Sequence, residues 1–427
     1  MAPAPVPGEA RHWAWQGVPP PQFVGGHALR LLQGGDELFP AMLQAIDAAS
    51  SQVWLATYIF HEDPAAQRMA EALIAAARRG VAVHVVVDGF GSMSTLPTLR
   101  RWFAGTSVAL EVFRPLDRWY SWLQPGQLRR LHQKLCAVDE AVAYVGGINV
   151  IDDRHDLNHG WTELPRLDFA VELRGALAAS VRAAARAMWA RAHLGHVWSE
   201  ELLELARRAE AVEETRWLLR RLKRRALPMR AAEGIVPVRA AFVVRDNLLQ
   251  RRAIERSYVL AIRQATRSVD IAASYFYPGR VFRRVLRQAA RRGVRVRLLL
   301  QGKIDYRIAG WAQRALYDEL RAHGVTIYEY TPAFLHAKVA VVDGRWATVG
   351  SSNIDPLSLL LNLEANVVVD DTGFSATVAQ ALDRAIAAST EVHARSLQRG
   401  WRALLQRGVV AWVANVYLRL AGITGRY

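Results

Sequence analysis

Cysteine and lysine are the scarce residues of this chain. One cysteine, Cys136, in 427 residues permits no intrachain disulfide and no cysteine-based zinc site, so nothing depends on an oxidising compartment. Lysine stands at only four positions, Lys134, Lys223, Lys303 and Lys338, although Lys+Arg together number 55. Where arginine is the default cation, each lysine marks a place to inspect. Acidic residues are also in deficit: 39 Asp+Glu leave a net charge of +16. A field of that sign predicts an anionic partner, either a phospholipid surface or a nucleic acid. No apolar run reaches the roughly 18 residues of a spanning helix. The nearest, Val409 to Leu418, is short and contains Asn415, so any contact with a membrane is expected to be peripheral.

A hydrophobic fraction of 52% with 22% charged residues is that of a globular chain. Its length exceeds the roughly 250–300 residues over which one core keeps growing, which predicts two lobes. Residues 1–28 read as a flexible tail: six of the 17 prolines precede Phe23, and no apolar stretch follows a basic one as a signal peptide requires.

The chain repeats itself. Ala75-Ala76-Ala77-Arg78-Arg79-Gly80-Val81 leads into Val83-His84-Val85-Val86-Val87-Asp88-Gly89, and Ala289-Ala290-Arg291-Arg292-Gly293-Val294 leads into Val296-Arg297-Leu298-Leu299-Leu300-Gln301-Gly302. A strand-like run precedes each, at 53–60 and 269–276. Strand, helix and strand in that order predict a βαβ crossover, which needs parallel pairing covered by helices. The expected fold class is α/β and duplicated: two lobes, 29–200 and 236–390, each a mostly parallel or mixed sheet flanked by helices. A basic linker at 201–235 separates them, and 391–427 follows as a C-terminal segment.

The second half of the repeat carries the chemistry. One copy reads His132-Gln133-Lys134, then Asp139, then Gly146-Gly147-Ile148-Asn149; the other reads His336-Ala337-Lys338, then Asp343, then Gly350-Ser351-Ser352-Asn353, at identical spacing. Residues two apart on a strand point the same way, so each histidine shares a face with its lysine. If the lobes pack about a pseudo-twofold axis, two imidazoles, two ammonium groups and two asparagine amides converge on one small anion, for which phosphate is the natural occupant. Phosphodiester exchange needs an attacking atom, a proton donor for the leaving alkoxide and fixed positive charge on the nonbridging oxygens. Histidine, with an ordinary pKa of about 6.5, switches protonation near neutrality. Two of only four lysines fall in this pattern, where they would stand in for the metal ions used elsewhere; no metal and no cofactor is expected. Asp139 and Asp343, five residues beyond each lysine, are placed to fix a neighbouring turn or pair with a cation, and Cys136 acts as a small hydrophobe.

These paired His-x-Lys-x4-Asp-x6-Gly-(Gly/Ser)-x-Asn signatures resemble those of the phospholipase D superfamily. The wider wording, in Trp346 to Leu359, Leu363-Glu364-Ala365-Asn366 and Tyr275-Phe276-Tyr277-Pro278-Gly279, is similar to the bacterial cardiolipin synthase B branch, over roughly 29–390. The resemblance implies two pseudo-twofold-related lobes and a catalytic set of His132, Lys134, Asp139, His336, Lys338 and Asp343. Asn149, Ser351 and Asn353 would bind substrate. One histidine takes the phosphatidyl group as a phosphohistidine and a lipid alcohol resolves it; by analogy His132 is the nucleophile and His336 the acid/base, and near-symmetry allows the reverse. An acidic residue stands behind each histidine, for which Asp168 and Glu364 are the candidates. Gly147 against Ser351 breaks the symmetry, so a hydroxyl contact to phosphate would come from one lobe only.

The implied reaction joins two phosphatidylglycerol molecules into cardiolipin and glycerol on the cytoplasmic face of a bacterial inner membrane. The acceptor alcohol and the oligomeric state stay open. The rival is hydrolysis at the same site, by a phospholipase or by a nuclease drawn to DNA, though nucleic acid is the less favoured partner. The candidates for lipid contact are the basic run Arg216 to Arg225, which equally reads as a solvated linker helix, the aromatic loop Arg118 to Leu123, which equally reads as plain packing, the amphipathic stretch Arg402 to Arg419, whose competing reading is a core-packing terminal helix, and Trp13 with Trp15.

Overall fold

The structure is a computed structural model and describes residues 21–115, 129–205, 238–245, 252–303, 310, 313–355 and 362–393. The first lobe runs β1 (Val24–Gln33), α1 (Gly34–Asp47), β2 (Gln52–Thr57), α2 (Pro64–Arg78), β3 (Ala82–Asp88), α3 (Leu96–Phe103), β4 (Ala109–Phe113), β5 (Leu135–Val138), β6 (Val142–Gly146), β7 (His155–Asp156), β8 (Gly160–Trp161), β9 (Phe169–Arg174) and α4 (Ala176–Leu205). The second runs β10 (Val238–Arg245), α5 (Ala253–Gln264), β11 (Ser268–Ala273), α6 (Arg280–Arg291), β12 (Arg295–Gln301), α7 (Tyr317–Arg321), β13 (Val325–Tyr330), β14 (Lys338–Val342), β15 (Trp346–Gly350), β16 (Glu364–Asp370), α8 (Thr372–Ala387) and β17 (Thr390–Glu391).

Fifteen strands join in the order β17-β13-β12-β11-β14-β15-β16-β10-β1-β9-β6-β5-β2-β3-β4, while β7 and β8 make a separate hairpin. Reading outward from the antiparallel β1–β10 pair gives the same order on both sides, so this pair, with Val24 opposite Ala240 and His27 opposite Val238, is the seam of the duplication. Among the strands of the described residues, parallel ladders run through β2–β3–β4 and β11–β12–β13. The signature strands β5–β6 and β14–β15 are hairpins and pair antiparallel to β2 and β11. Helical crossovers deliver parallel neighbours and tight turns deliver antiparallel ones, which makes each half mixed.

Helix periodicity sets what covers the sheet. α6 buries Phe282, Val285, Leu286 and Ala289, one stripe of a helix whose other face is arginine-rich. α2 starts at Asp63, whose side chain accepts from Ala66 N, followed by Pro64. One buried cluster belongs to the first lobe with α1, α2 and α3, and another to the second with α5, α6 and α7. The third contains Trp54, Val145, Val171, Leu299, Val339 and Val367 together with residues of α4 and α8. It is common to both lobes, so hydrophobic burial itself holds the two signatures in register.

β1 opens at Val24, inside the segment 1–28 read as a tail, and α4 continues past 200 to Leu205. Trp13, Trp15, the Arg118 to Leu123 loop, the Arg216 to Arg225 run and the Arg402 to Arg419 stretch lie outside the described residues. Among the described residues no helix is long and apolar enough to cross a membrane.

Candidate active site

Each signature enters its strand by way of the other lobe. Leu131 forms a parallel bridge with Leu363, and Leu335 forms one with Leu167. His132 N donates to Leu363 O at 3.0 Å and Leu363 N to Arg130 O at 2.9 Å; His336 N donates to Leu167 O at 2.9 Å and Leu167 N to Phe334 O at 2.8 Å. The histidines therefore sit at the mouths of β5 and β14 and not within a strand. Strand alternation is thus not what gathers each His-x-Lys pair. Instead each lysine folds back on its own histidine: Lys134 Nζ donates to His132 O at 2.7 Å, and Lys338 Nζ donates to His336 O.

The same crossing pairs each imidazole with a carboxylate of the opposite half. His132 Nδ1 lies 3.0 Å from Glu364 Oε2, and His336 Nδ1 lies 2.7 Å from Asp168 Oδ2. In both cases the acid follows the bridging leucine directly. The charge of Lys338 reaches His132, and the charges of Lys134 and His132 reach His336, so the two signatures share one electrostatic site.

Burial dominates the titration of this site. It lowers His132, and with Lys338 beside it His336 falls well below the ordinary histidine range. Burial also brings Lys134 down to about 7 and Lys338 to about 8. The two acids diverge. Asp168 is pushed up to about 7 by burial, which Lys338 only partly offsets. For Glu364 burial acts in the same direction, but His132, Lys134 and the Ser351 hydroxyl overcome it and hold the carboxylate below its usual range.

The lobes differ around the lysines too. Lys134 Nζ lies 5.3 Å from the centroid of the Tyr58 ring, which also tilts against His132 at 5.0 Å. At the equivalent place in the second lobe Lys338 donates to Ser274 Oγ at 3.1 Å, and that hydroxyl donates on to Asn353 Oδ1 at 2.8 Å. Asn149 Oδ1 accepts from Ile59 N at 3.2 Å. With their oxygen ends held by the protein, both asparagines keep the amide end as donor.

Three residues of the expected site are held by other protein groups. Asp139 accepts from the backbone of Ser50, Ser51 and Gln52 and from both serine hydroxyls, at 2.6–3.0 Å. Asp343 does the same for Thr266, Arg267 and Ser268, at 2.8–3.0 Å. Both adopt positive φ, 51° and 54°, a conformation open to a short polar side chain. Five residues of strand place them roughly 17 Å from the lysines. Their carboxylates are engaged by the turns that lead into β2 and β11. Ser351, assigned to substrate, is fully buried and donates to Glu364 Oε2 at 2.5 Å, so its hydroxyl supports the acid. Its counterpart Gly147 has a matching cause: a Cβ there would collide with the Asp168 carboxylate.

Two pairs carried no role in the sequence reading. Asp88 Oδ2 accepts from Leu131 N at 2.8 Å, and Gln301 Oε1 accepts from Leu335 N at 2.7 Å, so the last residue of β3 and of β12 clamps the residue before each histidine. Their signal was the Asp-Gly and Gln-Gly endings of the repeat. Exposed apolar groups also flank the site. Phe90 and Met93 are exposed, and the guanidinium of Arg130, two residues before His132, sits over the Phe90 ring. Leu157, Trp161 and Leu164 belong to or border the β7–β8 hairpin, whose His159 packs on Phe334, two residues before His336.

Crossed histidine–carboxylate pairs with two buried lysines, built on a duplicated sheet, are the arrangement that the resemblance to the phospholipase D superfamily implies. Comparison with known proteins agrees. The family described as "Cardiolipin synthase, PLD-like domain" matches residues 42–161 and 258–386. Cardiolipin synthase B of Escherichia coli (strain K12) is 36% identical over 368 residues, covering 86% of this chain and 82% of that protein. Cardiolipin synthase A of Cronobacter sakazakii is 29% identical over 386 residues, covering 87% and 72%. The crystal structure of a phosphatidylserine synthase from Haemophilus influenzae Rd KW20 shares the fold, with a TM-score of 0.63 at 12% identity, covering 94% of this chain and 97% of that one. The chain belongs to the family of cardiolipin synthases with phospholipase D-like domains, and so to the phosphatidyltransferases.

Proposed function

We propose that the protein is a cardiolipin synthase that moves a phosphatidyl group from one phosphatidylglycerol to a second through a phosphohistidine at His132. The observation that carries this is the divergence of the two crossed pairs. Glu364 is held ionised, so it keeps the His132 proton on Nδ1, frees Nε2 to attack, and stabilises the cationic imidazole once phosphorus is bound. Asp168 titrates near neutrality, so the Asp168–His336 pair holds an exchangeable proton, as general acid–base work requires.

The steps follow. His132 Nε2 bonds to phosphorus, the bond from phosphorus to the departing glycerol oxygen breaks, and the Asp168–His336 pair delivers that oxygen its proton. The hydroxyl of a second phosphatidylglycerol then gives its proton to the same pair and attacks phosphorus, and the phosphorus–nitrogen bond breaks. Lys134, Lys338 and the amides of Asn149 and Asn353 are the donors for the nonbridging oxygens.

The protein works as a peripheral enzyme at the cytoplasmic face of a bacterial inner membrane. Exposed apolar groups beside Arg130 and on the β7–β8 hairpin, with the +16 charge, support the peripheral attachment, since a lipid drawn from its bilayer must pass an interface that is apolar and anionic. Purified protein with phosphatidylglycerol vesicles is expected to yield cardiolipin and glycerol by thin-layer chromatography, with the covalent adduct found on His132 by mass spectrometry. Release of phosphatidic acid alone, or cleavage of plasmid DNA with no lipid product, would overturn the proposal.

A further inference from the structure

We infer that His61, Asp63 and His155 form a site for a divalent cation of the zinc class, separate from the residues that process the phosphodiester. Their ligand atoms all lie within 4.8 Å of one another. His61 Nδ1 is 3.5 Å and His155 Nδ1 is 3.6 Å from the same oxygen, Asp63 Oδ2. Bonds of about 2.0–2.2 Å at a tetrahedral centre place ligand atoms about 3.4 Å apart, so both separations fit edges of such a site.

Satisfaction of polar groups points the same way. Both Nδ1 atoms are buried and neither has a hydrogen-bond partner. Two such orphans, facing one carboxylate at distances too long for a good hydrogen bond, are costly unless something accepts both lone pairs. A cation does. Asp63 is already oriented for it: Oδ1 accepts from Ala66 N at 3.0 Å, and Oδ2 accepts from Asp152 N at 2.8 Å with a lone pair to spare. The His61 and His155 rings meet edge to face at 4.6 Å, and Trp161 stacks on His155 at 5.0 Å.

The duplication supplies an internal control. His61 N donates to Val150 O at 2.8 Å, and in the second lobe Tyr277 N donates to Ile354 O at 2.8 Å, so Tyr277 occupies the place of His61. Asp63 is the N-cap of α2, and Gly279 is the N-cap of α6. The fold is thus built once without the His61 and Asp63 side chains, and backbone architecture alone does not call for those two. Two imidazoles and one carboxylate select zinc or cobalt over magnesium or calcium, with a coordination position left for water. A bound ion would clip the β7–β8 hairpin and its exposed Trp161 to the end of β2, close to Asn149.

Titration of Co2+ and Zn2+ into the full chain carrying His132→Ala, which takes one catalytic imidazole out of competition, tests this. One equivalent of Co2+ with ligand-field absorption is expected, together with a rise in Tm on adding Zn2+. His61→Tyr, which installs the second lobe's residue, and His155→Ala are each expected to weaken binding about tenfold or more and to abolish the Zn2+-dependent Tm rise. Asp63→Asn keeps the helix cap and is expected to weaken binding while folding normally. Absence of binding in the parent, or equal binding in His61→Tyr and His155→Ala, would overturn the inference.

Discussion

Glu364 Oε2 and His132 Nδ1 are 3.0 Å apart although the two residues are separated by 232 positions and belong to different lobes. The reciprocal pair, Asp168 with His336, makes each lobe's histidine depend on the other lobe's acid. Neither half supplies the carboxylate that faces the histidine of its own signature.

Removing either acid tests that dependence. Glu364→Gln and Asp168→Asn are each expected to lower kcat by about 10²-fold or more, because the imidazole loses its tautomer and its orientation. Asp168→Asn alone should also alter the near-neutral part of the pH–rate profile, leaving there only the contribution of the lysines, since Asp168 is the carboxyl that titrates at about 7.

The lysines set the alkaline limb. Burial brings Lys134 to about 7 and Lys338 to about 8, so their charge is present below those values and is lost as pH rises through them. kcat/KM should therefore decline between about pH 7 and 9 rather than near the ordinary lysine value of about 10.4. A lysine with a depressed folded pKa opposes folding while it is charged. Lys134→Met is accordingly expected to abolish activity without lowering Tm at pH 7, as read by activity assay and calorimetry.

Asp139 is predicted to matter for stability and not for chemistry. Asp139→Ala strips five donors of their acceptor and should destabilise the protein by about 1–3 kcal/mol. Activity per folded molecule should be retained. Its carboxyl is held below the usual range: burial would raise it, and the Ser51 hydroxyl with the backbone amides outweighs that. The stability it contributes is therefore complete above about pH 3.9 and is lost as pH falls through the depressed value, which acid titration of wild type against Asp139→Ala will show.

Exchanging the asymmetric pair should be harmful in both directions. Gly147→Ser forces the Asp168 carboxylate off His336 and is expected to cost about 10²-fold in kcat, whereas Ser351→Ala removes one donor from Glu364 and should cost about tenfold. Single-turnover assays of adduct formation on His132 separate the two lesions.

The hairpin tip gives an interfacial prediction. Leu157→Glu with Trp161→Glu replaces exposed apolar groups by charge and is expected to weaken sedimentation with anionic vesicles at least about tenfold, while far-UV dichroism and Tm stay unchanged.

The sequence by itself determined the duplication, the α/β class and the paired His-x-Lys signature, because hydrophobic periodicity, turn residues and spacing are local properties written twice. Asp168 and Glu364 entered as candidates only through the resemblance, which implies an acid behind each histidine. Which acid serves which histidine was decided only by tertiary structure: the parallel bridges Leu131–Leu363 and Leu167–Leu335 form between segments hundreds of residues apart, and no local pattern encodes them. The same holds for Ser351 and the His61–Asp63–His155 cluster. A side chain's chemistry is set by what faces it, and in a protein whose two halves share one core, what faces it belongs to the other half.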